Sequence, residues 1–215
     1  NHDNGIYFGY STHNTITNNT ANSNFFSGIR LYGCCPSRST YNTITNNTAN
    51  SNYLGIYVDF SNNNTITNNT ANSNWYGLYF YSSNSNIVTN NTISLNKYYG
   101  IFFGYAANNN FVTNNFMSFN DYGIHVDYSS KNTITNNTIS SNRHGIYLRL
   151  STNNTITNNL ASSNDKIGIW LDSSSNNTII NNTASSNEDG IALIFSLNNI
   201  IVNNTIYNNS DDGID

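Results

Sequence analysis

The sequence predicts an all-β solenoid: a single-stranded parallel β-helix of about nine coils, with three short strands in each. Three observations predict it. Glycine–hydrophobe pairs begin at Gly5, Gly28, Gly55, Gly77, Gly100, Gly123, Gly145, Gly168, Gly190 and Gly213, 22 or 23 residues apart except for one gap of 27. A period in that range marks a stack of supersecondary units. Within each period, apolar and polar residues alternate with period two, and Asn, Ser or Gly separates the alternating stretches. Ile, Leu, Val and Phe return at a fixed phase, so stacked coils can share one core.

One coil illustrates the elements in order. From Gly145 the chain reads Gly-Ile-Tyr-Leu-Arg-Leu, then Ser-Thr-Asn, Asn-Thr-Ile-Thr-Asn-Asn, Leu-Ala-Ser-Ser-Asn and Asp-Lys-Ile. The first strand turns Ile146 and Leu148 inward, and its counterparts run from Ile6/Phe8 to Ile191/Leu193. The second turns Ile156 inward, in a column from Ile16 to Ile201. The third contributes Ala161, in a column that holds Ala21, Ala49, Ala71, Ile93, Met117, Ile139, Ala184 and Ile206. Parallel crossovers are right-handed almost without exception, which sets the expected hand. Nine coils at the strand spacing give a rod roughly 43 Å long.

The whole chain, 1–215, reads as one domain with a loop insertion at 33–39. The insertion accounts for the long interval and carries the only cysteines, the adjacent pair Cys34 and Cys35. A vicinal bridge, pairing with another chain and free thiols all remain open, and one pair does not fix the redox compartment. The chain has no initiator Met or leader and starts and stops in mid-repeat, without polar caps. We therefore expect a segment of a longer array, or a subunit whose ends neighbours cover.

Composition narrows the partners. Charged residues make up 8% of the chain and the net charge is −4, with no basic patch to engage nucleic acid. No apolar run approaches the ~20 residues that span a bilayer. About fifty asparagines take the place of the missing charges. Four columns recur in every coil, represented by Asn14, Asn18, Asn19 and Asn24. Amides one strand spacing apart can bond along the stack, and Asn tolerates left-handed corners. All four columns are expected to be structural. The Asn-Asn-Thr triplets also read as glycosylation sequons at Asn18, Asn46, Asn68, Asn90, Asn136, Asn181 and Asn203. A stacked amide leaves no room for a glycan, so the preferred acceptors are Asn63, Asn153 and Asn176 at turn tips and Asn208 near the C-terminus.

The phrase Gly-Ile-Tyr-Leu…Ser-x-Asn-Asn-Thr-Ile-x-Asn-Asn-Thr resembles the parallel β-helix repeat of the NosD-like family, also called carbohydrate-binding and sugar-hydrolase repeats. It extends from Gly5-Ile6-Tyr7-Phe8 to Asn203-Asn204-Thr205-Ile206 and also resembles the Asn-rich repeats of archaeal surface proteins. The resemblance implies an extracellular or cell-surface setting. The family name carries a copper association, but copper favours clustered His, Met or Cys. Here His2, His13, His125, His144, Met117, Cys34 and Cys35 share no local motif. No cofactor and no metal are expected.

Recognition chemistry concentrates on the outward side of the first strand. That column runs Tyr7, Arg30, Tyr57, Tyr79, Phe102, His125, Tyr147, Trp170 and Ala192. Beside it, the turn before each glycine carries Phe25/Phe26, Tyr53, Trp75/Tyr76, Tyr98/Tyr99 and Tyr122. The pattern predicts an exposed aromatic stripe, which could be cross-strand stacking or a contact surface. Two residues further on, Asp127, Arg149 and Asp172 fall on consecutive coils, with His125 beside them. Two carboxylates two spacings apart approach the separation of an inverting glycosidase pair. An Arg between them should hold both ionised, which suits a salt-bridge ladder better than a general acid.

Three functions follow. The first is a non-enzymatic spacer, filament or surface-layer subunit that meets other copies of itself, or a cell-surface polymer, through the stripe or its open ends. The second is a polysaccharide-binding module stacking sugars on Tyr57, Tyr79, Phe102, Tyr147 and Trp170. The third is a glycan-cleaving enzyme, a hydrolase or lyase, working through Asp127 and Asp172.

Overall fold

The computed structural model describes residues 3–34 and 36–215. Among them are 24 strands and no helix, and every strand pairing is parallel, as in Ile101↔Ile124 and Ile146↔Ile169. The strands form three sheets along one axis. The first sheet holds nine strands, from Ile6–Gly9 to Asp189–Ile194. The second also holds nine, from Thr15–Thr17 to Ile200–Val202. The third holds six, from Thr92–Ser94 to Thr205–Tyr207. The order within each sheet is the order along the chain, so each circuit lies on the one before it.

The third side differs from the expectation of a strand in every coil. In the first three coils it is reduced to single bridges, Thr20↔Thr48, Thr48↔Thr70 and Thr70↔Thr92. The reason is a side chain. Asn22, Asn50 and Asn72 present amide oxygens that accept the backbone N–H of Asn50, Asn72 and Ser94 at 2.7–2.8 Å. A side-chain acceptor has replaced a main-chain one, and the ladder stops. From Ser94 onward serine occupies this position in most coils, and the strand forms.

The core matches its expected columns. Ile29, Ile56, Leu78, Ile101, Ile124, Ile146 and Ile169 of the first sheet have no exposed surface, nor do Ile44, Ile66, Val88, Ile134 and Ile156 of the second. Met117 lies between Ile93 and Ile139 in the third. Each of these residues removes a whole side chain from water, worth about 1.5–3 kcal/mol.

Three of the four asparagine columns are internal ladders. Asn115 shows the pattern. Its Oδ1 accepts the backbone N–H and the Nδ2 of Asn91, at 3.0 and 2.9 Å. Its Nδ2 donates to the Val88 and Thr113 carbonyls and to Asn137 Oδ1, at 2.9–3.0 Å. Every polar atom of the Asn115 amide is thereby satisfied, whereas Asn132 Nδ2, in a neighbouring ladder, has no partner among the described residues. The fourth column, Asn18 through Asn203, is not a ladder. It is exposed, and its backbone is left-handed, with φ of 55–58°. These asparagines serve the corner and not the stack, which corrects the expectation that all four bond along the axis.

Left-handed corners recur four times in most coils and are not reserved for Asn. In one circuit Tyr128, Lys131, Asn136 and Ser141 have φ of 47°, 59°, 55° and 58°. The glycines that set the period have no such φ; close approach requires them. A Cβ on Gly100 would lie 2.6 Å from the Gly123 carbonyl oxygen, and one on Gly55 would lie 2.5 Å from that of Gly77.

The insertion folds back on the rod. Cys34 N–H bonds the Ser37 carbonyl at 2.7 Å, and Arg38 Nη1 donates to the Ser82 carbonyl at 3.2 Å. Cys34 Sγ lies 3.3 Å from the Tyr10 hydroxyl. Cys35 and His2 lie outside the described residues.

Candidate functional site

Parallel register places equivalent outward side chains of the first sheet one above another. Tyr57, Tyr79, Phe102, His125, Tyr147 and Trp170 therefore form a continuous file, with successive centroid distances of 5.5, 4.7, 5.2, 4.7 and 4.3 Å. A second file, begun by the first residue of each strand, closes over it. Tyr76 meets Tyr79 at 5.4 Å, Tyr99 meets Phe102 at 5.0 Å and Tyr122 meets Tyr147 at 5.3 Å.

This double file corrects the expectation of an exposed stripe along the strand. Phe102, His125 and Tyr147 are only 5–7% exposed, and Tyr57, Tyr79, Tyr98, Tyr122 and Trp170 are half-buried. Tyr7, Tyr53 and Trp75 remain open, at 52%, 37% and 44%. Stacked, offset and edge-on contacts of this kind add about 0.5–1.5 kcal/mol each beyond burial. The file is thus a second, aromatic core outside the aliphatic one.

Burial changes the chemistry inside it. Desolvation, then the charge of Arg149, pushes the His125 imidazole down to about 3. His144, stacked on Tyr122 at 4.9 Å, falls to about 4 through burial and then Arg143. Both are neutral at ordinary pH, and neither His125 ring nitrogen has a hydrogen-bond partner among the described residues. Burial pushes the Tyr79 phenol up to about 12 and that of Tyr57 higher still, with the Asp59 charge adding to the effect.

The charged column does not form the shared ladder expected of it. Arg149 Nη1 reaches Asp127 Oδ1 at 3.2 Å, whereas Asp172 accepts the Tyr147 hydroxyl at 3.1 Å. Burial raises the Asp127 carboxyl above the usual value and outweighs the lowering by Arg149. A second pair at the other end joins Arg30 to Asp59 at 2.7 Å. The Arg30 guanidinium lies 4.8 Å from the Tyr32 ring centroid and 4.9 Å from that of Tyr57.

The turn before the first sheet holds a groove of about 630 Å³ lined by Asn24, Phe25, Phe26, Ser51, Asn52, Tyr53, Ser73 and Trp75. Phe25 is 78% exposed, and Lys97 Nζ lies 3.7 Å from the Trp75 ring centroid. Sequence reasoning found the ring wall and missed the floor. Ser51 and Ser73 look like linker residues, and only the stacked corners align them into a trough. The preferred acceptors Asn63, Asn153, Asn176 and Asn208 are exposed left-handed corner residues, and so is the whole Asn18 column, which is not stacked and leaves room for a glycan.

The soft donors do not fit a copper site. His13 stacks on Tyr41 at 5.2 Å at one corner, His125 is enclosed by rings, and Met117 has no exposed surface in the core. No three His, Cys, Asp or Glu among the described residues gather within metal-binding reach.

No curated protein sequence matches the chain. Among solved structures, the periplasmic alginate epimerase AlgG superposes with a TM-score of 0.76 at 20% identity, over 82% of this chain and 55% of that one. PfbA, a surface adhesin of Streptococcus pneumoniae, gives 0.81 at 15% identity, over 97% and 62%. The A-module of the Azotobacter vinelandii mannuronan C-5 epimerase AlgE4 gives 0.68 at 18% identity, over 90% and 64%. The chain spans little more than half the length of AlgG, and at these identities the likeness is one of fold. Two family models match more than half of the sequence each: residues 1–134 fit the right-handed β-helix region, and residues 103–215 fit the family described as periplasmic copper-binding protein (NosD). The chain belongs to the NosD-type family of right-handed parallel β-helices.

Proposed function

We propose that the chain is a non-enzymatic β-solenoid of the cell envelope or exterior, a spacer, filament or surface-layer subunit that meets copies of itself through its open aromatic corner. One observation carries this reading. The groups of the first-sheet face that could do chemistry are engaged with one another: Asp127 with Arg149, Asp172 with Tyr147, and His125 with four surrounding rings. Phe25, Tyr53 and Trp75 stay open, and clustered exposed rings are where soluble proteins make contacts. The periplasmic setting of the family and the surface setting of PfbA support the location. Sedimentation velocity and electron microscopy across a concentration series test it. Regular assemblies that disappear in the Tyr53→Asp/Trp75→Asp variant are expected. Single rods at every concentration would remove self-association from the proposal.

A second reading is favoured by the groove itself. Its wall of rings over a floor of hydroxyls and amides suits a linear polysaccharide, and the alginate and mannuronan epimerases named above act on such chains. Retention of the native chain by polysaccharide-containing gels, lost with Trp75→Ala, is the expected result. No retention across neutral and acidic polymers counts against it.

A further inference from the structure

We propose that the exposed corner asparagines are acceptors for N-linked glycans, arranged in lines parallel to the rod axis. The sequence holds eleven Asn-x-Ser/Thr tripeptides, and in every one the asparagine is solvent-exposed and left-handed. No asparagine of the three internal ladders begins such a tripeptide. The partition follows from the fold. At a corner the first Asn points out, the second turns in to its ladder, and the Thr points out again at the start of the next strand. Acceptor amide and hydroxyl thus share the outer surface, with the structural amide between them.

Neighbouring residues show why one position tolerates a sugar and the next does not. The side-chain amide of Asn90 makes no hydrogen bond among the described residues, and its backbone N–H meets the Thr113 carbonyl at 3.3 Å. Asn91 donates to the Ile66 and Thr89 carbonyls and to Asn115 Oδ1, at 2.9–3.0 Å. A glycan on Asn91 would break the ladder, whereas one on Asn90 projects into water.

The transfer is an ordinary displacement. The Asn Nδ2 bonds to the anomeric carbon of an oligosaccharide carried on a lipid phosphate or pyrophosphate. The bond from that carbon to the phosphate oxygen breaks, the lipid phosphate leaves with the electron pair, and the amide loses one proton. Coil spacing then limits occupancy. Asn46, Asn68 and Asn90 sit on successive coils about 4.8 Å apart, closer than branched glycans can stand. Phe116 and Leu160 replace the hydroxyl after Asn114 and Asn158 and interrupt the line.

This proposal shares with the preceding one only the extracytoplasmic setting. The test is glycopeptide mapping by electron-transfer mass spectrometry on protein purified from its natural source, with the cell fraction recorded. Glycan mass on corner asparagines, never on ladder ones and never on Asn46, Asn68 and Asn90 of the same molecule, is the expected result. Unmodified sequon peptides from extracytoplasmic protein overturn glycosylation and leave the structural role standing. Recovery from the cytoplasm alone overturns both. In a glycosylating host, Thr48→Ala should clear Asn46 while leaving Asn90 modified, and persistence of the glycan on Asn46 would also overturn the proposal.

Discussion

Tyr147 and Asp172 meet across one coil: the phenol donates to the carboxylate at 3.1 Å, and the same ring stacks on Trp170 at 4.3 Å. One side chain therefore serves both the aromatic file and the charged column beside it. Tyr147→Phe keeps the stack and removes the donor, with an expected loss of about 1 kcal/mol, since Asp172 keeps some access to water. Tyr147→Ala removes both and should cost about 3–5 kcal/mol. Guanidinium unfolding of the two variants checks the difference.

Adjacent asparagines should respond very differently to the same change. Asn115→Ala strands the Asn91 amide and the Val88 carbonyl inside the rod, at a cost of several times the ~1–3 kcal/mol of one unsatisfied buried group. Asn114→Ala removes only a side chain suited to a left-handed corner, costing about 1 kcal/mol. Equal losses in thermal unfolding would contradict the division between ladder and corner columns.

Gly100→Ala tests the column that sets the period. Its new Cβ would lie 2.6 Å from the Gly123 carbonyl oxygen and 3.1 Å from Met117 Cγ. Backbone on one side cannot yield without separating two coils, so a loss of about 1–3 kcal/mol is expected. An unchanged melting temperature would mean that the coils part more easily than the ladders imply.

Acid should loosen the aromatic file. His125 titrates near 6.5 when unfolded and at about 3 when folded, and His144 at about 4. Below pH 6.5 the unfolded chain binds protons that the folded chain refuses. Stability is therefore full above 6.5 and falls as pH drops towards 3–4, by up to ~1.4 kcal/mol per pH unit for each group. His125→Phe should flatten the decline between pH 6.5 and 4 in melting experiments. An unaltered slope would place the acid sensitivity elsewhere.

The architecture was legible in residues that repeat because stacking repeats them. Ile, Ala and Gly return at fixed phase, and period-two alternation assigns inside and outside without reference to anything distant. What remained hidden depends on side chains meeting between coils. Asn18 and Asn19 are identical in sequence terms, and only the turn geometry sends one outward and the other into a ladder. Phe102, an outward-facing residue by alternation, is covered because Tyr99 folds over it. Tyr128 and Lys131 adopt left-handed backbone although neither residue type announces it. For the candidate site, rings could be read as a column, but their exposure could not, and serine gave no sign of a groove floor.

The internal ladders have a directional consequence. The inward amides turn their oxygens towards the preceding coil and most turn one hydrogen towards the next, as Asn91 does between Asn69 and Asn115. Main-chain dipoles in a sheet largely cancel, but these side-chain dipoles all point the same way along three parallel files. This ladder dipole, positive towards the later coils of the rod, opposes the formal charges, which sum to +2 over residues 1–160 and −6 over residues 161–215. Two such rods placed end to end would be drawn into the same orientation, and side by side they would favour opposite ones.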